Sequence, residues 1–118
     1  MPAIAALTTV VLDAADPEAL AAFYGKVTGW PVAYRDEDTV QLGGGALSLG
    51  FQRVAGYRGP GWPDDAKHCH LDFAVADVGQ AVESLLAAGA TRPEFQPGGG
   101  DWTVLADPEG HLLCLSAA

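Results

Sequence analysis

The 118-residue chain carries 15 acidic against six basic side chains, a formal net charge of −9, with 49% hydrophobic residues and 15 glycines. That length fits one domain with a single apolar core, and the composition suits a turn-rich globule rather than a disordered chain. So few cations exclude a nucleic-acid backbone and an anionic membrane surface as partners, which leaves a neutral, aromatic or cationic small molecule as the expected ligand.

The first residues, MPAIAALTTVVLDAAD, lack a basic leader region and run straight into an alternating strand pattern, so no signal peptide is expected. No stretch approaches the ~18 consecutive apolar residues of a membrane span. Cys69 and Cys114 form no C-x-x-C and no disulfide ladder, and a reduced, cytoplasmic protein is expected. Next comes a helix with Asp16 as its N-cap, Pro17 at the first helical position and Gly29 at its end. Its apolar stripe is Leu20, Phe23, Tyr24 and Val27. Three short strand-like runs follow, WPVAYR, TVQL and ALSLGFQR, divided by DED and GGG. The acidic runs Asp36-Glu37-Asp38 and Asp64-Asp65 read as solvated turns.

The segment VAGYRGPGWPDDAK, residues 54–67, reads as a linker with Tyr57 and Trp62 embedded. HCHLDFAVAD then opens a second copy of the same pattern: a strand, Asp77 as N-cap, an apolar stripe of Val78, Val82, Leu85 and Leu86, and a stop at Gly89. TRPEFQ, WTVLA and HLLCLS follow as strand-like runs. The unit is βαβββ used twice, an α+β fold in which module 1 covers about residues 5–53 and module 2 about 68–118. Two such curved mixed sheets, helices outside, are expected to enclose a cavity between their concave faces.

Side-chain alternation assigns the faces. Cys69, Leu71, Phe73 and Val75 belong under the helix, with Cys69 as a small core residue; His68, His70 and Asp72 face the cavity or its mouth. Leu47, Leu49 and Phe51 point to the helix, leaving Ser48, Gly50 and Gln52 inside. Cys114 falls inside with Leu112 and Ser116, and Trp102 with Val104. Tyr57 and Trp62 are placed to fold over the mouth. Trp102 and Trp30 as plain core or interface residues are the alternative reading.

TTVVLDAADPEALAAFYGKVTGW, HCHLDFAVAD and WTVLADPEGHLLCL together resemble the vicinal oxygen chelate superfamily, which includes glyoxalase I, extradiol dioxygenases, fosfomycin-resistance proteins and bleomycin-binding proteins. The likeness is closest to its small glyoxalase-like domain proteins. The resemblance implies a homodimer and four metal-ligand positions, which fall here on Thr9, Gln52, His70 and Cys114. A hydroxyl and a neutral amide are poor substitutes for imidazole and carboxylate. His68, His70 and Asp72 lie two apart along one strand, a spacing expected to diverge too far to grip one ion. The expectation is therefore no metal and no cofactor. The cavity would instead bind or sequester an aromatic or natural-product ligand, oriented by Thr9, Gln52, His70, Asp72 and Cys114 and walled by Tyr57, Trp62 and Trp102. Two enzyme readings stand beside it: a divalent-metal lyase or isomerase resembling glyoxalase I, and metal-free chemistry with His70 as general base assisted by Cys114 or Asp72. A regulatory module with a vestigial cavity is the third.

Overall fold

A computed structural model describes residues 3, 5–59 and 69–118, so the expected roles of Trp62 and His68 lie outside the described residues. The chain forms two units, 1–57 and 58–118. In the first, β1 (Thr9–Ala14) leads into α1 (Pro17–Thr28), then β2 (Val32–Arg35), β3 (Thr39–Gly43) and β4 (Ser48–Arg53). In the second, β5 (Leu71–Val75) leads into α2 (Val78–Ala87), then β6 (Trp102–Ala106) and β7 (Leu112–Ala117).

Both units follow one rule: the first strand pairs in parallel with the last. The first sheet has the order β1-β4-β3-β2, with β1 parallel to β4 and the other pairs antiparallel. The second has the order β5-β7-β6, with β5 parallel to β7 and β6 antiparallel to it. Parallel neighbours need a long crossover, and each helix lies within that crossover. Asp16 Oδ1 accepts from Ala19 N at 3.1 Å and Asp77 Oδ1 from Gln80 N at 3.0 Å, so both expected caps form. Gly29 ends α1 at a φ of 75°; beyond α2, Ala88 stays right-handed and Gly89 takes the positive φ, 117°.

In the first unit Leu20, Phe23 and Tyr24 of α1 bury against Val40, Leu42, Leu49 and Phe51. Tyr24 stacks on Phe51 with ring centroids 5.5 Å apart and meets Phe23 edge-on at 5.0 Å. The DED run is a solvated turn, as expected: Asp36 Oδ1 accepts from the backbone N–H groups of Asp38 and Thr39, both at 2.9 Å. Trp30 is structural in this unit, its indole lying over Gly44, where a Cβ would fall 2.0 Å from the ring.

The second unit departs from the expected pattern in three places. TRPEFQ is not a strand. It makes one bridge, Thr91 with Ala106, because Pro93 and Pro97 lack the N–H a ladder needs. Gln96 then substitutes for backbone: its side chain donates to Val104 O at 2.9 Å and accepts from Val104 N at 2.8 Å. The sheet therefore has three strands. Leu86, expected in the buried stripe, is exposed. Cys69, expected in the core, is exposed as well, since the strand begins only at Leu71 and residue 69 has no ladder to hold it under the helix. Among the described residues no helix is long and apolar enough to cross a membrane.

The turn between β6 and β7, DPEGH, is closed by a buried carboxylate. Asp107, 3% exposed, accepts from the backbone of Glu109 at 2.8 Å and of His111 at 3.0 Å, and meets His111 Nδ1 at 2.8 Å. The carbonyl of Glu109 in turn accepts from Gly59 N at 3.0 Å, and a Cβ on Gly59 would lie 2.5 Å from Gly110 C, so the incoming chain lies tightly on the turn. Removing the carboxylate strands several buried donors at once. Asp107→Ala is expected to cost about 2–4 kcal/mol in urea unfolding, whereas Glu94→Ala, on the exposed loop, should change stability by less than about 0.5 kcal/mol.

Candidate functional site

One face of the second sheet forms the floor of a cleft. The registers set side chains in rows across it: Asp72 on β5 pairs with Cys114 on β7, which pairs with Val104 on β6. In the next row Ala74 pairs with Ser116 and Ser116 with Trp102. Leu112 pairs with Ala106 in the row on the other side. Because alternate residues share a face, Leu113 and Leu115 turn the opposite way and are fully buried. Val104, Leu112 and Cys114 form a buried cluster of their own. Above this floor opens a cleft of about 540 Å³, lined also by His70, Pro97 and Asp101.

The wall at the β6 edge is Trp102, 40% exposed. Its indole rests against Gly98, where a Cβ would lie 2.5 Å from the ring. The PGGGD loop can therefore lie flat on the tryptophan only with glycine there. Asp101 N donates to Gly98 O at 2.9 Å and closes the loop, with Gly99 at a φ of 58°.

At the β5 edge the polar groups converge. His70 Nε2 lies 3.2 Å from Asp72 Oδ1, and the ligating atoms of His70, Asp72 and Cys114 all lie within 4.8 Å of one another. The spacing of His68, His70 and Asp72 along one strand is not tested, since His68 lies outside the described residues; His70 precedes the first paired residue of β5, and its ring lies beside the Asp72 carboxylate. The third member comes from the neighbouring strand. Burial raises the Cys114 thiol pKa first of all, and Asp72 adds to it through its negative charge and by accepting the thiol's hydrogen bond. Cys114 thus rests as a thiol, not a thiolate.

His70, Asp72, Trp102 and Cys114, all foreseen from the sequence, are brought together in this cleft. Thr9, Gln52 and Tyr57, also foreseen, belong to the first unit. Thr9 Oγ1 accepts from Gln41 Nε2 at 3.2 Å; Gln52 is exposed on β4, opposite Asp13 and Thr39; Tyr57 closes a turn, its N–H on Val54 O at 3.1 Å. Asp101 and Pro97 were not foreseen. Their only signal was adjacency to the glycine run, which read as a plain turn.

Imidazole, carboxylate and thiol are suitable donors for a divalent ion of the zinc type. Two ligands at about 2.0–2.3 Å from a tetrahedral ion stand roughly 3.3–3.8 Å apart, so a spread of up to 4.8 Å must contract to hold one. The donor chemistry fits, with Cys114 losing its proton on binding. The carboxylate absent from the four expected ligand positions is supplied here by Asp72.

Residues 9–116 match the profile described as "Glyoxalase-like domain". No curated protein matches this sequence. Among solved structures, the chain is similar to a glyoxalase/bleomycin resistance protein/dioxygenase family enzyme from Burkholderia phytofirmans PsJN, at 25% identity and TM-score 0.74, covering 96% of this chain and 98% of that one. It is also similar to a bleomycin resistance determinant encoded on the transposon Tn5, at 26% identity and TM-score 0.59, again covering 96% and 98%. A glyoxalase-related enzyme from Fulvimarina pelagi shares 23% identity at TM-score 0.68, covering 95% and 87%, which speaks to fold alone.

The raised thiol gives a direct check. In a Cys69→Ser background, Cys114 should be alkylated by iodoacetamide more slowly at pH 8 than a free cysteine, and faster as pH rises, because only the thiolate reacts. Asp72→Ala removes two of the three causes of the upward shift, the charge and the hydrogen-bond acceptor, and should speed the reaction at fixed pH.

Proposed function

The chain belongs to the glyoxalase-like domain family, within the vicinal oxygen chelate superfamily, and from that premise we propose that it binds a small organic ligand in the cleft of its second unit without needing a metal. The observation that carries this reading is a cleft of about 540 Å³ with an aromatic wall at one edge and a hydrogen-bonding corner at the other. Volumes of this order are those of small-molecule pockets, in which apolar walls supply affinity and a few polar groups fix orientation. Trp102 would stack on a flat ring system, over a floor of Val104 and Leu112. His70 and Asp72 would hold the ligand's polar end, and Ser116 offers a hydroxyl on the strand between them and Trp102. The role is sequestration of an aromatic or natural-product compound, in a homodimeric cytoplasmic protein.

A second reading is favoured by one observation, the convergence of His70, Asp72 and Cys114. These three would hold a divalent ion, and such an ion would polarise a ligand oxygen. Without an ion, Asp72 orients the imidazole of His70, and a histidine so oriented can take a proton from a bound ligand.

Two measurements separate these readings. A ligand held by the native state raises the melting temperature, so a thermal-shift screen of aromatic metabolites and antibiotics should yield binders, and Trp102→Ala should weaken them about tenfold. Protein incubated with zinc, nickel, manganese or iron and then dialysed should retain well under one equivalent by elemental analysis. A full equivalent, lost in both His70→Ala and Cys114→Ala, would establish the metal reading in its place.

A further inference from the structure

We infer that the ligand of this cleft carries a positive charge, an ammonium group seated at Asp72 with its apolar body lying across the sheet toward Trp102. The inference rests on the ligand-binding reading above and adds the charge class. Among the described residues lining the cleft, two are carboxylates, Asp72 and Asp101, and none is lysine or arginine. The single imidazole there, His70, is already engaged with Asp72 at 3.2 Å. An anionic ligand would therefore meet like charge at both edges, and a neutral one would leave those charges unused.

The geometry orders the contacts. Asp72 stands on β5 and Trp102 on β6, with β7 between them. Strands are spaced about 4.8 Å apart, so the two edges of the floor are roughly 10 Å from each other. That span accommodates a fused two-ring system carrying an amine on a short arm. The floor beneath it is Cys114, Val104 and Leu112, a buried cluster that carries no basic side chain. The Asp72 side chain is 74% exposed, so its carboxylate is accessible to an incoming group. At the far edge Asp101 precedes Trp102 in the chain and lines the same cleft, and a cation attracted toward the ring face gains there as well.

The test uses a matched set on the full-length protein: 2-naphthylmethylamine, 2-naphthylmethanol and 2-naphthoate, titrated by calorimetry at pH 7.5, with zinc chloride alone as a fourth probe. The amine should bind at least about tenfold more tightly than the carboxylate, with the alcohol between them. Raising salt from 0.1 to 1 M should shrink that gap, since the partners are solvent-exposed. Asp72→Asn should close the gap between the amine and the alcohol, and Asp101→Asn should narrow it in smaller measure. Circular dichroism and the urea midpoint of each variant guard against misfolding. Three naphthalenes bound equally well, and all weakened by Trp102→Ala, would overturn the charge assignment while leaving the ligand-binding reading intact. No binding by any of them would overturn both. Stoichiometric zinc that blocks the amine and is lost in Asp72→Asn would reassign the carboxylate to a metal and overturn the inference.

Discussion

Parallel pairing of β5 with β7 is the contact on which the second unit's chemistry depends. It sets Asp72 opposite Cys114, and β7 passes the same row on to Val104. Side chains alternate with a period of two, so a slip of one residue would turn Cys114, Leu112 and Ser116 away from the cleft and bring Leu113 and Leu115 into it. Burial of Leu113 and Leu115 on the helix side opposes that slip. The site is thus held by a packing preference on the opposite face of the same strand.

Two turn devices keep the register true at the sheet's ends. Asp107 closes the β6–β7 connection from inside, gathering backbone donors that a loop would otherwise give to water. Gln96 performs a related task beyond the β6 edge, satisfying the N–H and C=O of Val104 with a side-chain amide where prolines prevent a further strand. That edge would otherwise present free backbone groups, an invitation to unwanted pairing. The substitution also leaves the PGGGD loop free to lie on Trp102, which makes the aromatic wall a product of the missing strand.

The family's fold supports unrelated chemistries because its sheets provide a face, and the residues on that face decide what happens there. In this chain a hydroxyl and an amide, Thr9 and Gln52, occupy two of the four positions that the resemblance assigns to metal ligands. Acidic character instead gathers at Asp72 and Asp101, flanking an apolar floor. A charge pattern of that kind selects by electrostatic complementarity, which governs specificity and encounter more than it adds raw affinity.

Much of this architecture was legible in the chain itself. The duplicated unit, both aspartate caps and the faces of β4, β5 and β7 follow from local rules: alternation, capping and glycine stops act over a few residues and leave their mark in order. Four site residues were legible for the same reason, since knowing which face a strand buries names the side chains on the other. Other features were set in three dimensions. TRPEFQ has a strand-like run of residues, yet Pro93 within it and Pro97 after it deny hydrogen bonds that only a neighbour can test. Cys69 has the right parity for the core, but parity acts only where a ladder exists. Strand parity put Asp72 and His70 on one face, but the three-way meeting depended on ring orientation and on Cys114 arriving from a strand some forty residues later. Local pattern determines which way a side chain points, whereas convergence of groups distant in sequence is decided by strand pairing, a property of the folded sheet.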